Sequence, residues 1–166
     1  MLIDLRDLLA QAVERVDFSY TLDLSELDFF GERPILPDSR VEGYVENRAG
    51  VLALKATVAC RLSTDCASCG CAVEKDYVPS IDAVLLPDSE ESDLDDALFY
   101  SGDSFDMDAA AEDAVVLNMD MRILCREDCK GICPRCGKNL NEGPCGCSKP
   151  IDPRLEKLKA LLQKDE

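Results

Sequence analysis

Ten cysteines and no histidine occur in a chain of 166 residues. Six of the cysteines, Cys125, Cys129, Cys133, Cys136, Cys145 and Cys147, crowd into one short stretch near the C-terminus. Thiolates are the soft ligands that Zn2+ prefers, in a tetrahedron with Zn–S about 2.3 Å. Cys133-Pro-Arg-Cys136-Gly137 has the spacing of a zinc knuckle. Two intervening residues let both sulfurs face one ion, and Gly137 permits a tight turn that brings backbone amides toward them. Gly143, Pro144 and Gly146 return the chain so that Cys145 and Cys147 can close the site. The expected ligand set is therefore Cys133, Cys136, Cys145 and Cys147. Cys129 is the expected substitute, three residues from Cys133, and Cys125 is free to belong elsewhere. An iron–sulfur cluster is the competing occupant of four thiolates. Six unliganded thiols so close together would be an oxidation hazard, which argues for a bound metal.

A second group comprises Cys60, Cys66, Cys69 and Cys71. Cys66-Ala-Ser-Cys69 again has knuckle spacing, placed where two strand-like stretches meet. Three arrangements are open: a second four-cysteine site, a pair completed by Cys125 and Cys129, or packed thiols. The cofactor expectation is accordingly one Zn2+, or two. A redox Cys-x-x-Cys would require a thioredoxin-like βαβ context, and none precedes Cys66.

The elements around these clusters follow from hydrophobic period. Leu2, Leu5, Leu8, Leu9, Ala12, Val13 and Val16 have helical spacing, so an amphipathic helix is expected over 2–16. Phe18 to Leu24, Val41 to Val45 and Val51 to Leu62 alternate as strands, and Asn47-Arg48-Ala49-Gly50 is a hairpin turn. Ala72 to Leu86 adds one or two more strands. From Asp82 to Asp113 there are 12 acidic residues and no basic one, the pattern of a solvated connector or a docking segment for a basic protein. Ala109 to Leu117 suits helix or strand. Asp152-Pro153 starts a helix that Leu155, Leu158, Leu161 and Leu162 would line. The expected fold is α+β: an antiparallel β-meander or partial barrel with an N-terminal helix, an acidic linker, a C-terminal zinc-knuckle segment and a terminal helix. The expected divisions are 1–86, 87–121 and 122–166.

The net charge of -16 opposes casual contact with nucleic-acid phosphates. Its distribution is uneven, because residues 1–121 carry 8 basic and 27 acidic side chains and residues 122–166 carry 10 and 7. Arg122, Arg126, Lys130, Arg135 and Lys138 are thus the candidate contacts to RNA or to a partner. No apolar run reaches membrane-spanning length and the first ten residues lack a basic n-region, so a cytoplasmic protein without a membrane partner is expected. Catalysis is poorly supplied. Histidine is absent, an all-cysteine site leaves no position for water, and no phosphate loop or nucleophile elbow occurs. The expectation is no enzyme and no small-molecule substrate. A thiol-based redox or metal-handling protein is the alternative.

The run from Leu124 through Cys129, Cys133-Pro-Arg-Cys136-Gly-Lys-Asn139-Leu140-Asn141 and Cys145-Gly-Cys147 to Asp152-Pro153-Arg154-Leu155 resembles the bacterial YceD-like family, the large ribosomal RNA subunit accumulation proteins. The Cys66–Cys69 pair resembles that family's central Cys-x-x-Cys, so the likeness runs from about Val41 to the C-terminus. One departure is that the family's pair contains a basic residue and is followed by Leu, whereas this chain reads Cys66-Ala-Ser-Cys69-Gly70-Cys71. The resemblance implies a cytosolic, non-enzymatic factor for 23S ribosomal RNA accumulation and large-subunit biogenesis. Its implied partners are pre-large-subunit ribosomal RNA or basic ribosomal proteins.

Overall fold

Strict alternation along fifteen residues makes Val51–Asp65 the organising strand, β4. Leu52, Leu54, Ala56, Val58, Cys60 and Leu62 all face one side and are buried there, as a period of two requires of a half-buried strand. Ser39–Arg48 (β3) reaches β4 through the two-residue loop Ala49-Gly50. Both loop residues have positive φ, 54° and 92°, which suits the mirror-image turns that match the twist of the flanking strands. Asn47 braces this turn, its Oδ1 accepting the Gly50 N–H at 2.8 Å and its Nδ2 donating to Leu8 O at 2.8 Å. The computed structural model describes residues 1–89 and 97–147.

Arg15–Leu22 (β2) pairs antiparallel with β3. Ala72–Tyr77 (β5) pairs with the second half of β4, and Ser80–Pro87 (β6) with its first half. Ala97–Tyr100 (β7) adds to β6 in parallel, giving the order β2-β3-β4-β6-β7 with β5 beside β4. Leu2–Asp4 (β1) and Ser104–Asp106 (β8) form a separate antiparallel pair. Two helices, Arg6–Leu9 (α1) and Met107–Asn118 (α2), complete the described residues. One core joins Val41, Val45, Leu54 and Val58 of the sheet to Leu5, Leu8, Phe105, Met107, Ala111 and Val115.

The mixed α+β character, the mostly antiparallel sheet and the cysteine cluster near the C-terminus agree with expectation. The N-terminal helix does not. Residues 2–16 hold β1, the four-residue α1 and the first two residues of β2. Ile3, Leu5 and Leu8 are buried in the core and Val16 packs against it from β2, while Leu2, Leu9 and Val13 stay exposed, so the helical stripe is used for barely one turn. Residues 97–118, inside the stretch expected to be an acidic linker, form β7, β8 and α2. Met107, Ala110, Ala111, Ala114 and Val115 make a continuous buried stripe on α2. Asp106 caps that helix by accepting the N–H groups of Asp108 and Ala109, whereas Glu112 and Asp113 point to solvent. Glu112 and Asp113 therefore lie on the outer face of a packed helix. The terminal helix expected from Asp152 lies outside the described residues.

Candidate metal centre

The β4–β5 hairpin runs past the main sheet, and its tip, residues 66–71, is the first cysteine turn. Cys66 N–H donates to Cys71 O at 2.8 Å and Gly70 N–H to Cys66 O at 2.9 Å. Far along the chain the same turn recurs: Cys133 N–H donates to Lys138 O at 2.8 Å and Gly137 N–H to Cys133 O at 2.9 Å. Gly70 and Gly137 have φ of 68° and 70°, in the left-handed region where glycine escapes the Cβ penalty. Each turn aims amides at its first sulfur. Cys66 Sγ accepts the Cys125 N–H at 3.3 Å, and with the amides of Ser68 and Cys69 this draws its thiol down to about 6. The amides of Cys136 and Arg135 draw Cys133 down to about 6 in the same way. Both sulfurs are buried. Each turn is therefore a nest for a thiolate.

Beyond α2 the chain has little regular structure, and between 120 and 147 only Gly131 and Cys133 are buried. This stretch is held against the hairpin tip. Ala67 N–H donates to Ile123 O at 2.9 Å, Ile132 N–H to Ser68 O at 3.2 Å, and Arg122 Nη2 to Ser68 Oγ at 2.6 Å. A Cβ on Gly131 would stand 2.9 Å from Ser68 O, so only glycine allows so close an approach.

Docking gathers the sulfurs into two groups that could each hold a metal ion. Cys133, Cys136, Cys145 and Cys147 form one, with every sulfur within 4.8 Å of the others, and Cys66, Cys69, Cys71 and Cys125 form the other to the same limit. Cys129 borders the latter group, 3.8 Å from Cys66 Sγ, and Cys69 lies 3.7 Å from Cys125. A tetrahedral ion with Zn–S of about 2.3 Å needs sulfur–sulfur edges of about 3.8 Å, so these separations fit zinc. A hydrogen bond to the Cys136 sulfur, followed by burial, pushes Cys147 up to about 12.

Of the positions singled out in the sequence, Cys133, Cys136, Cys145 and Cys147 do come together. Cys125 joins the central pair Cys66 and Cys69 together with Cys71, and Cys129 borders that group through Cys66. Cys60 belongs to neither group. It lies on the core side of β4, its Sγ donates to Tyr77 O at 3.3 Å, and burial pushes its thiol up to about 11. Among the basic candidates, Arg122 ties to Ser68, Lys138 Nζ donates to Pro144 O at 3.1 Å, and Arg126 pairs with Asp128 at 3.5 Å. Lys130 and Arg135 are exposed on the same segment. Sequence reasoning missed Asn141. Its Nδ2 donates to Cys129 Sγ at 3.3 Å while its Oδ1 accepts the Lys130 N–H at 2.8 Å. Nothing in its spacing distinguishes it from an ordinary turn asparagine.

No helix among the described residues is long and apolar enough to cross a membrane. No solved structure matches the chain. It is 34% identical over 129 residues to uncharacterized proteins of Mycobacterium bovis and of two strains of Mycobacterium tuberculosis. That alignment covers 75% of this chain and 60% of those relatives. The family model described as "Large ribosomal RNA subunit accumulation protein YceD" matches residues 54–162, a span that contains both cysteine groups and all but the first three residues of the β4–β5 hairpin that presents one of them. The chain belongs to the YceD family of large ribosomal RNA subunit accumulation proteins.

Proposed function

We propose that this chain is a cytoplasmic, non-catalytic factor that supports accumulation of 23S ribosomal RNA during large-subunit biogenesis, and that it carries two structural zinc ions. The observation that carries the reading is the family match across both cysteine groups. Closed four-sulfur sites support a structural role, since they leave no coordination position at which a metal could activate water. The absence of histidine removes the usual proton-transfer group as well. The chemistry on offer is binding.

Two surfaces of opposite character supply it. The cysteine segment presents Arg126, Lys130 and Arg135, suited to phosphates of pre-large-subunit RNA. The remainder of the chain is strongly acidic, suited to holding a basic ribosomal protein before its incorporation. Both contacts would weaken as salt rises.

The test is sedimentation of a lysate from cells expressing the tagged, zinc-loaded protein, paired with measurement of 23S ribosomal RNA after deletion. Co-migration with large-subunit precursors and a specific fall in 23S RNA are expected. Charge reversal at Arg126 and Lys130 should weaken RNA binding while leaving the metal content unchanged. Normal 23S levels in the deletion, with no precursor association, would remove the basis for this reading.

A further inference from the structure

The hairpin-tip site has five thiols for a cation that takes four. Cys66, Cys69, Cys71 and Cys125 already form a complete mutual group. Cys129 adds itself from the side, 3.8 Å from Cys66. The C-terminal group, by comparison, is a mutual set of four sulfurs from one short stretch of chain.

Three of the five are fixed by the fold. Cys66 is buried and receives the N–H of Cys125, so one backbone contact locks the hairpin and the docked segment together at the site. Cys69 completes the knuckle and stands 3.7 Å from Cys125, close to the tetrahedral edge. The other two approach from different parts of the chain. Cys71 is at the surface, at the first step of the return into β5, and sits 3.2 Å from Cys69. That separation is shorter than a shared zinc would set, so Cys71 must swing slightly to bind. Cys129 is drawn the other way, held by Asn141 from the segment of the second site.

We propose that Cys66, Cys69 and Cys125 form a constant tripod for a soft divalent cation, and that Cys71 and Cys129 alternate as its fourth ligand. The inference rests on the zinc reading given above. One thiolate replaces another at the metal, so each exchange conserves charge when the departing sulfur takes up the proton that the arriving one releases. No oxidant or reductant takes part. Exchange gives the ion at the hairpin tip a route of entry and departure that the closed C-terminal site lacks.

The test uses the full chain loaded with cadmium in place of zinc. Native mass spectrometry counts ions, and cadmium NMR separates four-sulfur from three-sulfur coordination by chemical shift. Wild-type protein should bind two ions, each with four sulfurs. Cys71→Ser and Cys129→Ser should each retain both four-sulfur signals, because the other thiol fills the vacancy. The double variant should lose one sulfur from the hairpin-tip ion alone, shifting that resonance upfield while the C-terminal signal stays in place. The unmoved signal also reports that the variant has folded. Loss of a sulfur in either single variant overturns the exchange, as does a double variant that keeps four. Failure of the wild-type chain to take an ion at the hairpin tip overturns the zinc reading itself, so the two failures are distinguishable.

Discussion

Cys60 in the β4 arm and Cys71 at the tip of the same hairpin are chemically different groups. Cys60 is surrounded by the core and donates its proton to Tyr77 O, so burial pushes it up to about 11. Cys71 is at the surface beside another sulfur. A thiol-specific alkylating reagent at about pH 8 should therefore modify Cys71 in the folded protein and reach Cys60 only after denaturation, because the thiolate is the reactive form. Peptide mapping after timed quenching reads this directly, and early labelling of Cys60 would contradict its placement. The same burial has a thermodynamic sign. The fold favours the neutral thiol, so the Cys60 contribution to stability is fully present below the ordinary value of 9.0 and is lost as pH rises through about 11. Cys60→Val removes the titrating group. Its denaturation midpoint should fall less steeply than wild type between pH 9 and 11, and parallel curves would count against the mechanism.

At the scale of elements, the β3–β4 hairpin is the part most readable from sequence. Alternation on both sides and Asn47 to Gly50 between them specify it locally, and all of its determinants are close in the chain. What could not be read is how closely the strands approach. Gly43 in β3 faces Ala56, and a Cβ there would lie 2.3 Å from Lys55 O and 2.6 Å from Ala56 Cα. Those are backbone atoms, which cannot rotate away as a side-chain tip would. Gly43→Ala should therefore destabilise the protein by about 1–3 kcal/mol, the usual cost of overpacking. A denaturant midpoint unchanged from wild type would show that the strands separate freely. The same limit explains α2. Residues 97–118 carry acids and no base, which masks a buried face built from Met107, Val115 and alanines that carry little hydrophobic signal one by one. The N-terminal stripe failed conversely: its period was genuine, but the pairing of β1 with β8 depends on a strand about a hundred residues away.

At the scale of the whole molecule, one hydrocarbon core and two cysteine clusters occupy different parts of the chain. The sheet, α1 and α2 share a hydrocarbon core whose central side chains, Leu5, Leu8, Val41, Val45, Leu54, Val58 and Val115, are completely enclosed. Residues 120–147 have almost nothing buried, so burial of apolar surface cannot account for their order. Spacing alone identified their own four-sulfur site, because knuckle and closing pair lie within one short stretch. It left the hairpin-tip site open, because Cys66 and Cys125 meet across 59 positions and only the folded sheet sets that distance. Metal binding in such sites is folding free energy, of order 10 kcal/mol for a structural zinc. Removal of metal under reducing conditions should therefore divide the molecule. Amide exchange should become fast across 120–147 and at the hairpin tip, 66–71, while β2, β3, the first half of β4 and α2 keep their protection. Restoring zinc should restore the slow exchange in both regions, which the contacts of Ser68 with Arg122 and Ile132 join. If metal-free protein retained slow exchange throughout 120–147, some other interaction would have to order that segment. Collapse of the sheet at the same step would mean that the hydrocarbon core does not stand by itself.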